Sequence, residues 1–380
     1  MGRKITKARK IAMKLLWFTW KDLSHPQAGG AERVNEEIAK RLARDGHEVI
    51  MLVASFPDAE EEEIRDGYKI IRLGNRYTVY WHVYRHYKNY LQGWADLVID
   101  EMNTVPFFCK YYVRERNILL SYQLCREIWF YQMFFPLSLM GFVLEPLYLW
   151  LLRDRRVITE SESTRQDMLR FGFDKKRISI ISIGILTSPV ENLDDLEKFH
   201  RPTLLSLGAI RAMKRTLDQI KAFELAKKQI PTLQLKIAGS ADSRYGKKVL
   251  RRIAASEYMK DIEYLGCVDE AKKTELMQKS HLILVTSVKE GWGLIVTEAN
   301  SQGTPAAVYD VDGLRDSVLN GQTGVLTKEN NPTSLAKEVV ALLKNGVRYA
   351  ELRSAAWKSS QQFENENSYN DFMRAIDYAQ

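Results

Sequence analysis

Short apolar runs alternate with amphipathic stretches along most of this chain, and that alternation restricts the fold more than any other feature. "MKLLWFTW" (13–20) reads as a strand, and "AERVNEEIAKRLARDG" (31–46) as a helix closed by Gly46. "HEVIMLVAS" (47–55), "DLVID" (96–100), "NILLSY" (117–122), "RVITES" (156–161) and "ISIISIG" (178–184) continue the strand series. After a polar stretch, strands recur at 203–208, 233–240, 262–266, 282–287, 305–310 and 323–327. Helices are expected between them over 214–229, 270–279, 294–302 and 333–344. Strands separated by helices demand parallel sheets covered on both faces. The pattern predicts two tandem doubly wound α/β domains. Such sheets take ligands at the carboxyl ends of their strands, so two facing sheets make a cleft. The expected boundaries are residues 1–186 and 187–365, with a terminal helical stretch over 366–380 folding back on the first domain.

A length of 380 residues accommodates two such domains. Formal net charge is +8, and the first fourteen residues carry Arg3, Lys4, Lys7, Arg9, Lys10 and Lys14 with no acid. The excess is mostly a basic arm. A nucleic-acid binder carries its cations on a face of the fold, interleaved with readout residues, so nucleic acid is not an expected partner. The arm is either a solvated tail or a contact to an anionic membrane surface. Cys109, Cys125 and Cys267 are scattered, without a CxxC pair. That argues against a disulfide frame or a zinc site and for a reducing, cytoplasmic setting, peripheral at the membrane face where the arm binds. The uncharged run "IWFYQMFFPLSLMGFVL" (128–144) is 17 residues long and interrupted by Gln132, Pro136, Ser138 and Gly141. A full membrane span is not expected of it. Two readings remain, a buried helix and an aromatic-rich element on a membrane interface.

The stretch "KEGWGLIVTEAN" (289–300) follows the strand "LILVTS" and reads as a loop entering a helix. Gly291 and Gly293 let backbone approach a ligand closely. The free N–H groups and positive dipole end of the helix suit a phosphate. Glu290 stands just outside the helix, and Glu298 lies about five residues inside, roughly 7.5 Å along the axis. One carboxylate is thus available on each side of a bound diphosphate, and carboxylates accept from vicinal hydroxyls of a ribose or hexose.

That constellation resembles the E-x7-E motif of the GT4 family of retaining glycosyltransferases. The resemblance extends over "LSLGAIRAMKRTLDQIKAF" (205–223), "YLGCVDEAKKTELMQKSHLILVTS" (264–287) and "GTPAAVYDVDGLRDSVLNGQTGVLT" (303–327). In the first domain it covers "GGAERVNEEIAKRLARDGHEV" (29–49) and "VITESESTRQDMLRFGFDKKRISIISIGI" (157–185), so most of residues 13–345 take part. It implies the GT-B fold, two tandem Rossmann-like domains around a central cleft, with the acceptor on the first and the nucleotide sugar on the second. It further implies that Glu290 contacts the donor hexose and Glu298 the ribose. Backbone near Gly291, Gly293, Leu294 and Ile295 faces the phosphates, and Val268 lines the base pocket. Arg211 and Lys214, after Gly208, neutralise the departing diphosphate. Gly29 and Gly30 close over the phosphates. Lys214 stands at the family's usual spacing of six from Gly208, whereas Arg211 is displaced from the position after the glycine, where this chain has Ala209.

The resemblance implies transfer of a hexosyl group with retention, from a UDP- or GDP-sugar to a glycan or lipid-linked acceptor, with no metal and no cofactor. Tyr122 stands where many relatives carry a histidine near the acceptor, and Glu101 and Asn103, at a strand's carboxyl end, are the other acceptor-side candidates. Asp310 and Asp312 form a D-x-D pattern, but at a strand-to-helix turn rather than a metal loop. "SESTRQ" (161–166) reads as a helix cap. The competing functions are a sugar-nucleotide epimerase of the same fold and a binding protein with a decayed site.

Overall fold

A computed structural model describes residues 12–185 and 187–377, so the basic arm at Arg3–Lys10 lies outside the described residues. The first sheet contains β1 (Lys14–Phe18), β2 (Glu48–Val53), β3 (Glu62–Arg65), β4 (Tyr68–Arg72), β5 (Leu97–Glu101), β6 (Arg116–Leu120), β7 (Val157–Thr159) and β8 (Ile178–Ile180). Their spatial order is β3-β4-β2-β1-β5-β6-β7-β8, parallel except for β3. The second sheet contains β9 (Thr203–Leu207), β10 (Gln234–Ala238), β11 (Ile262–Gly266), β12 (Leu282–Val285), β13 (Ala306–Val308) and β14 (Gly324–Leu326). It is wholly parallel in the order β11-β10-β9-β12-β13-β14. These are the two doubly wound, Rossmann-like α/β domains.

The first domain's helices are α1 (Gly30–Arg44), α2 (Val79–His86), α3 (Trp129–Gln132), α4 (Leu137–Leu152) and α5 (Glu162–Arg170). The second series is α6 (Thr216–Lys227), α7 (Arg244–Ala254), α8 (Glu270–Lys279), α9 (Leu294–Ser301), α10 (Leu314–Ser317), α11 (Pro332–Leu343), α12 (Gly346–Ser360) and α13 (Asn365–Asp377). Each sheet buries apolar clusters on both faces, which is why inner strands such as β1 and β12 read as continuous apolar runs.

Three features depart from the sequence pattern. β3 and β4 form an antiparallel hairpin around Asp66 (φ +47°) and Gly67 (φ +91°), an Asp-Gly turn whose signal was present in "EIRDGYKI". α7 and α12 occupy stretches assigned to no element. Residues 128–144 do not make a buried helix. The chain breaks between α3 and α4, and α4 keeps one side open to solvent.

α13 leaves the second domain and packs on the first. Phe372 stacks on Trp17 at 5.8 Å between ring centroids, Tyr369 donates to Asp45 at 2.9 Å, and Arg41 pairs with Glu366 at 2.9 Å.

Candidate active site

β12 delivers the chain to the carboxyl edge of the second sheet, next to the reversal of strand order between β9 and β12. Gly293, at φ +91°, precedes α9, and a β-carbon there would meet Leu314 Cδ2 at 2.7 Å. The start of α9 meets the first domain's glycine loop, since a β-carbon on Gly30 would lie 2.7 Å from Leu294 Cδ1. Gly29 caps α1, and its N–H donates to Glu32 Oε2 at 2.6 Å. Lys21 pairs with the other oxygen of Glu32 at 3.1 Å and so ties down the same loop.

Lys214 and Glu290 form an ion pair, and Glu290 also accepts from Ser287 Oγ at 2.5 Å. Their backbones are stitched together. Val288 N donates to Met213 O at 2.8 Å, and Thr286 Oγ1 to Lys214 O at 2.8 Å. Glu298 is the fifth residue of α9 and is buried, with Oε2 paired to Lys273 at 2.9 Å. Lys273 also reaches Glu270 at 3.4 Å, and Glu270 pairs with Arg33 of α1. The string Glu298–Lys273–Glu270–Arg33 therefore crosses from one domain to the other.

Arg211 is exposed and enters no ion pair among the described residues. Gly208 sits at φ +122°, and a β-carbon on Gly239 would lie 2.0 Å from its carbonyl oxygen, so the two strand ends touch through backbone. Val268 and Ile295 are half-buried against the apolar cluster on that sheet face.

The three acceptor-side candidates part company. Glu101 is 1% exposed, and its Oε2 accepts from Trp17 Nε1 at 3.1 Å and Asn35 Nδ2 at 2.7 Å. Burial, with Glu32 nearby, pushes its pKa up to about 8. Tyr122 is also buried and donates to Asn35 Oδ1 at 2.5 Å. In this structure neither side chain is open to an acceptor, because α1 covers the ends of the central strands β5 and β6. Asn103 alone is half-open, with Nδ2 3.5 Å from Glu32.

Several residues of the site escaped the sequence reading. Glu160 ends β7's run, and its Oε1 would lie 2.0 Å from a β-carbon on Gly291. No hydrogen bond reaches its carboxyl among the described residues, and burial holds its pKa well above the carboxylate range, with Glu290 and Asp316 adding to the shift. Lys289 is buried and pairs with Asp167 of α5 and, at 3.0 Å, with Asp312. Ser163 N donates to Asp316 at 3.2 Å. The loop bearing Glu290 is thus braced by the first domain. A lysine directly before Glu290 was the only hint in the sequence. Asp310 and Asp312 engage Arg315 at 2.7 and 3.1 Å. Ser161 caps α5 by accepting from Thr164 N at 3.2 Å.

Residues 28–188 match the family described as Glycosyltransferase Family 4, and residues 192–360 match Glycosyl transferases group 1. Poly(glycerol-phosphate) alpha-glucosyltransferase of Bacillus subtilis is 28% identical over 171 residues, 45% of this chain and 25% of that protein. Trehalose synthase of Pyrococcus horikoshii is 30% identical over 165 residues, 41% of this chain and 39% of that protein. The alignments thus span well under half the length of these relatives. Among solved structures, sucrose-phosphate synthase from Thermosynechococcus elongatus superposes with a TM-score of 0.76 at 17% identity, covering 97% of this chain and all of that one. Anabaena Alr3699/HepE in complex with UDP-glucose gives 0.73 at 15% identity, covering 96% and 100%. Both share the fold.

Proposed function

The chain belongs to the GT4-type glycosyltransferases of GT-B fold, and on that premise we propose that it moves a hexosyl group from a nucleotide-diphosphate sugar to a glycan or lipid-linked acceptor, with retention and without a metal ion. The observation that carries this reading is the Lys214–Glu290 pair beside the glycine-lined start of α9. The donor's diphosphate lies against the first N–H groups of α9, with Gly29 and Gly30 opposite. Lys214 turns to the diphosphate as charge develops on it, and Arg211 adds a second cation. Glu290 accepts from hexose hydroxyls. Glu298 keeps Oε1 for a ribose hydroxyl while Oε2 stays with Lys273. The bond from the anomeric carbon to the phosphate oxygen breaks, and the acceptor oxygen bonds that carbon on the same face. The acceptor's proton passes to the departing phosphate, so positioning and electrostatics supply the catalysis.

UDP-glucose bound to the Anabaena neighbour supports a UDP-sugar ahead of a GDP-sugar. The test is a thermal-shift panel of UDP-, GDP- and ADP-sugars, followed by transfer assays with the preferred donor. Lys214→Ala and Glu290→Gln are each expected to lower kcat on the order of 100-fold or more while nucleotide binding persists. Undiminished transfer in either variant sinks the site assignment. NMR of the product's anomeric proton reads retention, and an epimerised nucleotide sugar formed without acceptor would favour the epimerase instead.

A further inference from the structure

α4 is apolar on nearly every side, yet one of those sides stays open to solvent. Its one charged residue, Glu145, points inward and accepts from Cys125 N and Arg126 N at 2.7 Å and from Trp129 Nε1 at 3.0 Å. Gly141 also faces inward, with its α-carbon against the Trp129 ring, where a β-carbon would clash at 2.4 Å. These two contacts lock the helix about its axis. The side left to solvent carries Leu139, Val143, Leu147 and Trp150, one helical stripe without a polar residue. The preceding loop extends the stripe with Phe134 and Phe135, which are 71% and 75% exposed. Between residues 128 and 152 no charge other than Glu145 occurs. An exposed apolar surface of this extent marks an interaction site.

Cations rim it. Arg153 lies over Trp150 at 4.7 Å, Arg126 over Phe142 at 4.4 Å, and Arg76 Nη2 lies 4.0 Å from Met133 Sδ beside the 134–135 loop. The neighbouring acids are Glu127, Asp154, which is already paired with Lys110 at 2.7 Å, and the inward Glu145, 3.7 Å from Arg126. Two copies of the chain joined through this face would bring like-charged rims together, whereas anionic headgroups complement them. Among the described residues no helix is long and apolar enough to cross a membrane. The same element abuts the candidate active site, because Gln132 contacts Met213, the residue before Lys214, at 3.8 Å.

We propose that the outer face of α4 and the 134–135 loop dock in the interface of an anionic lipid bilayer, which holds the cleft next to a membrane-borne acceptor. The docking deepens the transferase reading and rests on it only for the acceptor. The test is flotation of the full chain with vesicles of phosphatidylcholine alone and of phosphatidylcholine with phosphatidylglycerol. Three proteins are compared: the natural sequence, Phe134→Ser with Phe135→Ser and Leu147→Ser, and a variant with Arg3, Lys4, Lys7, Arg9 and Lys10 replaced by Gln. UDP-sugar thermal shift, which needs no lipid, checks each variant's fold and reports separately on the transferase reading. The natural chain should float with the anionic vesicles, and the serine variant should lose at least tenfold in binding with its donor shift intact. Binding unchanged in the serine variant, or no binding to either vesicle, overturns the proposal. A dimer by light scattering that the serine variant dissolves, without vesicle binding, also overturns it and gives the face to a second copy.

Discussion

A β-carbon on Gly313 would lie 2.3 Å from the carbonyl oxygen of Glu290, and φ at Gly313 is +79°. Backbone fills that space and cannot yield as a side-chain tip does. Gly313→Ala should therefore cost at least about 1–2 kcal/mol for the left-handed conformation and displace the loop carrying Glu290. The urea midpoint should fall and donor KM should rise, whereas Gly346→Ala, with open space around it at the start of α12, should do neither. Glu101 gives a pH prediction. Two donors converge on its Oε2, which leaves Oε1 to carry the proton. Its folded pKa of about 8 lies above the unfolded value, so the unfolded chain releases this proton first as pH rises. Stability contributed by the neutral form is complete below about pH 4.5 and is lost towards pH 8, at up to about 1.4 kcal/mol per unit. Glu101→Gln should remove that part of the slope in urea titrations at pH 5.5 and 8. An unchanged slope would mean the carboxyl is ionised in the fold. Glu290 and Glu298 were legible because their spacing lies within one short segment. Glu160 was not, since only the fold brings a residue of β7's end against Gly291.

At the scale of elements, most parallel strands were readable because buried stretches such as LLWF of β1 and LILV of β12 are uninterrupted apolar runs, whereas β4 (YKIIR), parallel to β2, was not read. β3 was not read either, because an edge strand alternates exposed and half-buried residues, as 62–65 does. α12 was missed for a related reason, with buried residues only at Leu352, Ala356 and Ser360. α13 contributes to the first domain's core. Phe372 is fully buried, in parallel contact with Trp17 on β1, so a helix from the chain's far end completes the first domain's core. Phe372→Ala should cost about 3–5 kcal/mol in urea unfolding. A loss below about 1 kcal/mol would show that α13 is an appendage.

At the scale of the whole molecule, the domains are joined by charges as well as by chain. Lys289 and Asp167 are 122 residues apart and both buried, and no local pattern announces such a partner. Arg33 and Glu270, 237 apart, bridge the domains on a more exposed side, where an ion pair is worth about 1 kcal/mol or less. Removing one partner of a buried pair costs up to about 3–5 kcal/mol where the other charge is stranded, and less here because Lys289 keeps Asp312 at 3.0 Å. Asp167→Ala should loosen the domains, raise the radius of gyration in small-angle scattering and raise donor KM. An unchanged scattering curve together with unchanged KM would refute the brace. The brace also bears on how such enzymes can be recombined. A hybrid joining the first domain of one relative to the second domain of another would be cut in the polar stretch near 187–202, whose Lys198 and Val190 are hydrogen-bonded to the second domain. Yet the second domain's motif loop has its footing on α5 of the first. Residues 160–167 and 286–293 form a single inheritable unit, and grafts that separate them would receive the carboxylate without its foundation.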